Sequence, residues 1–163
     1  MRLLWVDDEK DNFFFETMLL EEEGFILDWA TTIPEAAELL NKNHYNGILL
    51  DQQIKDGSQA VEPSLVVWMG TIFMCWLKKS NPHLNNRLED ILLRFRKELP
   101  EPNETNTTTP IMIVSGFYDN DVQDTINKIS EGSRYKIKRT NKPLEEQELL
   151  NFALNLKKVG VKK

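Results

Sequence analysis

The sequence has one cysteine, Cys75, and no long hydrophobic segment. A single cysteine cannot form an internal disulfide, so the composition fits a reducing compartment, and we expect the protein in the cytoplasm. The longest apolar run, residues 65–77, is shorter than the about 20 residues that a membrane-spanning helix needs. The N-terminus also lacks the charged and apolar regions of a signal peptide. These absences argue against an exported or membrane-spanning protein.

Positive charge is outweighed by negative charge. The formal net charge is -6 at pH 7 and the isoelectric point is about 5.0. Nucleic-acid binding needs clustered Lys and Arg for the phosphates, and the basic cluster that stands out is two lysine pairs near the C-terminus, at 157–158 and 162–163. Lysines there complement a helix dipole. We therefore expect no nucleic-acid partner. The length of 163 residues separately suits one domain.

Two short apolar segments end in carboxylates. Residues 3–6 lead into Asp7 and Asp8, and residues 48–50 lead into Asp51. Each segment has the pattern of a strand covered on both faces in a parallel sheet, where ligands gather at the carboxyl ends of the strands. Two carboxylates about 4 Å apart near a protein surface repel by roughly 4 kcal/mol, so the cluster calls for a cation. Oxygen ligands without a nearby cysteine or histidine pair favour Mg²⁺ over zinc.

Helices and strands alternate in the first third of the chain. We predict a helix over residues 10–23, with Phe14, Phe15, Met18 and Leu19 at helical spacing, and a strand over residues 25–29. A capping-box pattern at residues 32–35 then begins a second helix. This order predicts an α/β protein with a parallel sheet and helices on both of its sides.

The segment after Asp51 is less usual. The apolar run 65–77 contains Trp68 and Trp76, and it suits either a core helix or a partner groove or dimer face. An amphipathic helix is predicted over residues 84–99. Residues 100–110 are rich in Pro, Glu, Asn and Thr, which predicts an exposed and mobile loop.

Two more predicted strands end in polar residues. Residues 111–114 lead into Ser115 and Gly116, and an edge strand at 134–139 is followed by Lys142 and Pro143. Helices are predicted at residues 121–130 and from about residue 144. If the fold gathers these strand ends, a hydroxyl and an ammonium join the carboxylates. A carboxylate can attack phosphorus while cations and a hydroxyl hold the other oxygens, so the set favours phosphoryl transfer.

In order along most of the chain, these segments resemble the receiver domain of two-component response regulators. The resemblance rests on residues 3–9, 47–51, 110–116 and 142–143. It implies a flavodoxin-like (CheY-like) α/β fold, doubly wound, with five parallel strands in the order 2-1-3-4-5. It also implies one receiver domain over residues 1–163, with an extra helical insertion after strand 3 at about residues 58–83.

By the same resemblance, Asp51 accepts a phosphoryl group from a histidine kinase or phosphotransfer protein, and Ser115 and Lys142 contact that group. The implied Mg²⁺ ligands are Asp7, Asp8, Asp51 and the backbone carbonyl of Gln53, with Asp7 acting through water. The protein would then be no conventional enzyme but would catalyse its own aspartyl phosphorylation and dephosphorylation. A conformational switch would transmit the signal to a downstream protein, and the insertion could form a homodimer.

Three features depart from the family's usual pattern. Lys55 stands where a proline is usual, Arg139 stands where the family has its switch aromatic, and the interval from Asp51 to Ser115 is longer. These departures support an alternative hypothesis, a phosphorylation-independent interaction or dimerisation module with a vestigial Asp51. A third hypothesis, a phosphatase with an aspartyl nucleophile, fits less well. Such enzymes generally have an Asp-x-Asp motif at the nucleophile, and Gln53 stands where the second Asp would be.

Overall fold

A computed structural model describes residues 1–57 and 62–160 of the chain. The strands are β1 (Arg2–Val6), β2 (Ile26–Ala30), β3 (Gly47–Leu50), β4 (Ile111–Val114) and β5 (Lys138–Thr140). The helices are α1 (Phe14–Glu22), α2 (Ile33–Lys42), α3 (Pro63–Val66), α4 (Met69–Leu77), α5 (Asn86–Glu98), α6 (Asn120–Glu131) and α7 (Glu146–Gly160). Two 3₁₀ turns lie at Lys10–Phe13 and Glu104–Thr108. Residues 58–61, part of the predicted insertion, lie outside the described residues.

The five strands form one sheet in the order β2-β1-β3-β4-β5, and all four pairings are parallel. The fold class predicted from the sequence, a flavodoxin-like doubly wound sheet, is therefore confirmed. Parallel neighbours need crossover connections, which the helices between the strands provide. All strands consequently end at the same edge of the sheet.

The core lies on both faces of the sheet because successive side chains of a strand point in opposite directions. In β1, Leu4 and Val6 join the cluster formed with α2, α4, α5 and α6. Leu3 and Trp5 join the cluster on the other face, which includes Leu20 of α1 and Phe152 of α7. The near-continuous apolar sequence of β1 follows from this burial on both sides.

The apolar run at 65–77 contains a helix that is buried along its whole length. Every residue of α4 is buried, including Trp76, and α5 packs against α4 through Leu88, Leu92 and Phe95. The core interpretation of this run is confirmed for α4. A homodimer through the insertion stays a prediction. It would need residues outside α4, because α4 itself presents no exposed apolar face. Among the helices in the described ranges, none is long and apolar enough to cross a membrane.

The apolar residues noted at helical spacing in the first helix do not form its buried face. Phe14 and Phe15 are 63% and 75% exposed, whereas Phe13 and Leu20 are buried. The chain enters α1 through the 3₁₀ turn Lys10–Phe13, which has three residues per turn. This turn gives α1 a different rotation from that of a continuous α-helix beginning at Lys10.

The predicted exposed loop at 100–110 is also wrong in part, because Asn106 is fully buried. Its side-chain amide donates to the carbonyl oxygens of Leu40 and Asn43 at 2.7 Å each, and its side-chain oxygen accepts from the Tyr45 amide at 3.0 Å. These bonds satisfy backbone groups at the end of α2 and the start of β3. The polar side chain of Asn106 therefore forms hydrogen bonds with buried backbone groups and not with solvent.

Candidate functional site

The sheet register places two of the predicted carboxylates side by side. Val6 pairs with Leu50, so Asp7 and Asp51 follow neighbouring strands at the same level. The Asp51 amide donates to the Val6 carbonyl at 2.9 Å, and the Asp7 amide donates to the Ala30 carbonyl at 3.0 Å. These bonds extend the ladder beyond the strands and fix the backbone of both residues.

Asp7, Asp8 and Asp51 form one acidic cluster. One carboxylate oxygen from each lies within 4.8 Å of the others. Asp7 is fully buried, and Asp51 is 4% exposed. Burial raises the pKa of the Asp7 carboxyl above its ordinary value, because a charged group is less stable away from water. The cluster therefore depends on nearby cations.

Lys142 supplies one of these cations. Its Nζ lies 3.0 Å from Asp7 Oδ2, 3.1 Å from Asp51 Oδ2 and 3.2 Å from Glu9 Oε2. Burial alone would lower the pKa of Lys142, but the Asp51 and Asp7 carboxylates raise it above its ordinary value, so the ammonium stays charged. The Phe13 ring centroid lies 5.4 Å from the same Nζ. The peptide bond between Lys142 and Pro143 is cis.

Ser115 lies at the same sheet edge, but its hydroxyl is hydrogen-bonded within its own loop and not to the carboxylates. Its amide donates to the Thr140 carbonyl at 3.2 Å, and its Oγ accepts from the Phe117 amide at 3.3 Å. A Cβ added to the next residue, Gly116, would lie 3.7 Å from Lys142 Cβ, so the Ser115 segment runs beside Lys142. The buried hydroxyl is thus near the site and is held by its own loop.

Gln53 contacts the cluster through its backbone. Its amide donates to Asp51 Oδ1 at 3.3 Å, while its side chain is exposed. Of the residues predicted from the sequence, the structure therefore brings Asp7, Asp8, Asp51 and Lys142 into one cluster. It places Ser115 and Gln53 next to that cluster.

Two charged residues of the site were missed by sequence reasoning. Lys55 Nζ lies 2.8 Å from Asp8 Oδ2, and Glu9 joins the ion pairs of Lys142. The sequence drew attention to Lys55 only as a departure from the family pattern. Its distance from Asp8 depends on the fold, because the two residues belong to different connections.

Gly70 is a third missed residue. Its amide donates to the Gln52 carbonyl at 3.0 Å, and a Cβ added to it would lie only 2.4 Å from the Asp51 carbonyl oxygen. The next residue, Thr71, donates its hydroxyl to Gln52 Oε1 at 2.8 Å. The first turn of α4 therefore holds Gln52 by hydrogen bonds and packs closely against the backbone of Asp51. A glycine inside an apolar helical pattern was the available signal.

Arg139 links β5 to the loop after β4. Its Nη1 donates to Gln123 Oε1 at 3.0 Å, and its Nη2 donates to the Phe117 carbonyl. The guanidinium carbon lies 4.8 Å from the Tyr118 ring centroid. Burial lowers the pKa of Arg139 from its ordinary value. Arg139 thus ties the segment that carries Ser115 to β5.

The acidic cluster has the donor chemistry that Mg²⁺ prefers. When ionised, its three aspartates carry three negative charges, against the two positive charges of Lys55 and Lys142. The Oδ2 atom of Asp7 is buried and, apart from its ion pair with Lys142, has no hydrogen-bond partner. Carboxylate oxygens with uncompensated charge fit a hard divalent cation.

Comparisons with known proteins bear on the fold. No protein-family model matches the sequence, and no curated protein matches it either. Similar solved structures include a CheY-like response regulator receiver domain protein from Methanospirillum hungatei JF-1, with 17% identity and a TM-score of 0.63 over 99% of this chain and 98% of that chain. A two-component response regulator from Clostridium difficile is 20% identical, with a TM-score of 0.58 over 97% of this chain and 96% of that chain.

The Francisella response regulator 1452 receiver domain is 23% identical, with a TM-score of 0.57 over 98% of both chains. At these identities the likeness establishes the fold. The chain therefore has the fold of CheY-like response regulator receiver domains over nearly its whole length, which confirms the resemblance seen in the sequence.

Proposed function

We propose that the protein is a receiver domain that accepts a phosphoryl group on Asp51 in a Mg²⁺-dependent reaction. The observation that carries the proposal is the position of the Lys142 ammonium, 3.1 Å from Asp51 Oδ2 and 3.0 Å from Asp7 Oδ2. The donor would be a histidine kinase or phosphotransfer protein, and the output would be a contact with a downstream protein. The proposal treats residues 1–163 as one receiver domain in the cytoplasm.

In the proposed reaction, a carboxylate oxygen of Asp51 attacks the phosphorus atom. A P–O bond to Asp51 forms, and the bond from phosphorus to the donor breaks with its electron pair leaving on the donor. Asp7, Asp8, Asp51 and the backbone carbonyl of Gln53 would hold Mg²⁺, which would neutralise charge on the transferred group. Lys142 contacts one phosphoryl oxygen, and Ser115 donates its hydroxyl to another. Attack of water on phosphorus later breaks the P–O bond to Asp51, which releases inorganic phosphate and restores the carboxylate.

Phosphorylation is expected to require the Asp51 carboxylate, because the proposal makes it the group that is modified. Intact mass should rise by one phosphoryl group when wild type is incubated with acetyl phosphate and Mg²⁺, and Asp51→Asn should show no gain. The exposed Asp124 on α6 provides a matched control, since Asp124→Asn makes the same chemical change away from the site. A gain that persists in Asp51→Asn would contradict the proposal.

The Arg139 contacts support a second candidate function, a phosphorylation-independent interaction module. Arg139 holds the Phe117 carbonyl and Gln123 Oε1. A segment held in this way has less freedom to switch. A protein that binds Mg²⁺ but gains no mass from acetyl phosphate or from a histidine-phosphorylated donor would favour this second function.

A further inference from the structure

Lys55 forms the outer ion pair of the acidic cluster. Its Nζ lies 2.8 Å from Asp8 Oδ2, and its side chain is 69% exposed, whereas that of Asp8 is 23% exposed. The more buried Lys142 contacts Asp7, Asp51 and Glu9. The two lysines therefore divide the cluster between them, and Asp8 is the aspartate that pairs with Lys55.

The backbone of Lys55 is fixed even though its side chain is exposed. Thr32 and Lys55 form a parallel β-bridge, and the Ile33 amide donates to the Lys55 carbonyl at 2.8 Å. The flanking residues Ile54 and Asp56 are both buried. This anchoring holds the Cα of Lys55 beside the start of α2, from which the side chain reaches Asp8.

The ammonium of Lys55 and a metal ion would use the same carboxylate. Asp8 Oδ2 is paired with the Lys55 ammonium. A divalent cation at Asp8 would repel that ammonium at short range. An exposed side chain can leave at small cost, because water replaces its partner. Lys142 differs, since its side chain is only 20% exposed and is surrounded by three carboxylates.

We propose that Lys55 is a displaceable counterion of Asp8, which competes with Mg²⁺ and so sets the affinity of the acidic cluster for the metal. The inference rests on the metal site of the proposed function and adds a residue that determines its affinity. Without metal, Lys55 neutralises Asp8. When the metal binds, Lys55 moves into solvent. The phosphoacceptor site then contains the metal that the proposed reaction needs.

The affinity for Mg²⁺ tests the proposal directly. Isothermal titration with Mg²⁺ should show about fivefold tighter binding to Lys55→Met than to wild type, the value expected for loss of one exposed ion pair. Lys42→Met is the matched control, because Lys42 is 66% exposed and pairs with Glu38 in the last turn of α2, away from Ile33. Its affinity should equal that of wild type.

A second measurement follows Lys55 itself. Limited acetylation of wild type, read by peptide mass, should modify Lys55 faster when Mg²⁺ is present, while the acetylation of Lys42 should not change. Equal or weaker Mg²⁺ binding by Lys55→Met, with normal binding by wild type, would overturn this inference and leave the metal site intact. Absence of Mg²⁺ binding in wild type would overturn both the inference and the metal dependence of the proposed function.

Discussion

Gly70→Ala is expected to lower the free energy of unfolding by about 3 kcal/mol, the upper end of the usual range for overpacking a core. The added Cβ would lie 2.4 Å from the Asp51 carbonyl oxygen and 2.8 Å from Gln52 Cα. Both are backbone atoms, which cannot rotate away as a flexible side chain can. α4 cannot move outward easily either, because it is buried on every side and α5 packs against it.

Urea unfolding followed by tryptophan fluorescence would measure this effect. Gly132→Ala is the control, since Gly132 ends α6 with φ at -81° and an added Cβ would meet only the Ile129 carbonyl at an ordinary 3.8 Å. That variant should stay within about 1 kcal/mol of wild type. If Gly70→Ala unfolded at the same urea concentration as Gly132→Ala, the close approach of α4 to Asp51 would be disproved.

Lys142→Met is expected to destabilise the metal-free protein by about 2 to 3 kcal/mol at neutral pH, somewhat less than the loss of a fully buried partner. The reason is that Asp7 and Asp51 are buried and would lose the ammonium that lies within 3.1 Å of both. Methionine keeps a similar length without charge. Urea unfolding in the presence of EDTA would give the difference from wild type.

The deficit of Lys142→Met should depend on pH. Burial raises the pKa of Asp7, so the folded state binds a proton at this carboxyl more tightly than the unfolded state does. Protonation of Asp7 therefore stabilises the folded state at low pH. This contribution is lost as the pH rises through the folded-state pKa. Loss of Lys142 raises that pKa further. The deficit should therefore be largest near pH 7 and shrink as Asp7 is protonated. Lys42→Met should show no such trend, and a deficit constant with pH would argue against a charged Asp7.

The strands were predictable where local pattern and burial agree. β1, β3 and β4 are apolar runs bounded by polar residues, and each was found within one or two residues of its predicted position. The last strand was less accurate, because the prediction covered 134–139 and the structure has Lys138–Thr140. At an edge strand, fewer buried side chains mark the limits in the sequence.

The candidate site was predictable for a topological reason. Parallel strands end at one edge, so carboxylates and a lysine that follow such strands must approach one another. Asp7, Asp51 and Lys142 meet this condition, and each of the two carboxylates lies within 3.1 Å of the Lys142 ammonium. Lys55 lies further along the connection after β3, and its contact with Asp8 depends on the bridge to Thr32. Sequence spacing contains no signal for that contact.

By itself, the sequence determined the order of strands and helices and the residues that follow each strand, because side-chain periodicity and turn residues act over a few positions. Only the tertiary structure decided which side of α1 faces the core, that α4 is buried beneath α5, and that Gly70 packs closely against the backbone of Asp51. It likewise decided that Arg139 holds Phe117. These features depend on distances between segments remote in sequence, which packing of the whole chain sets.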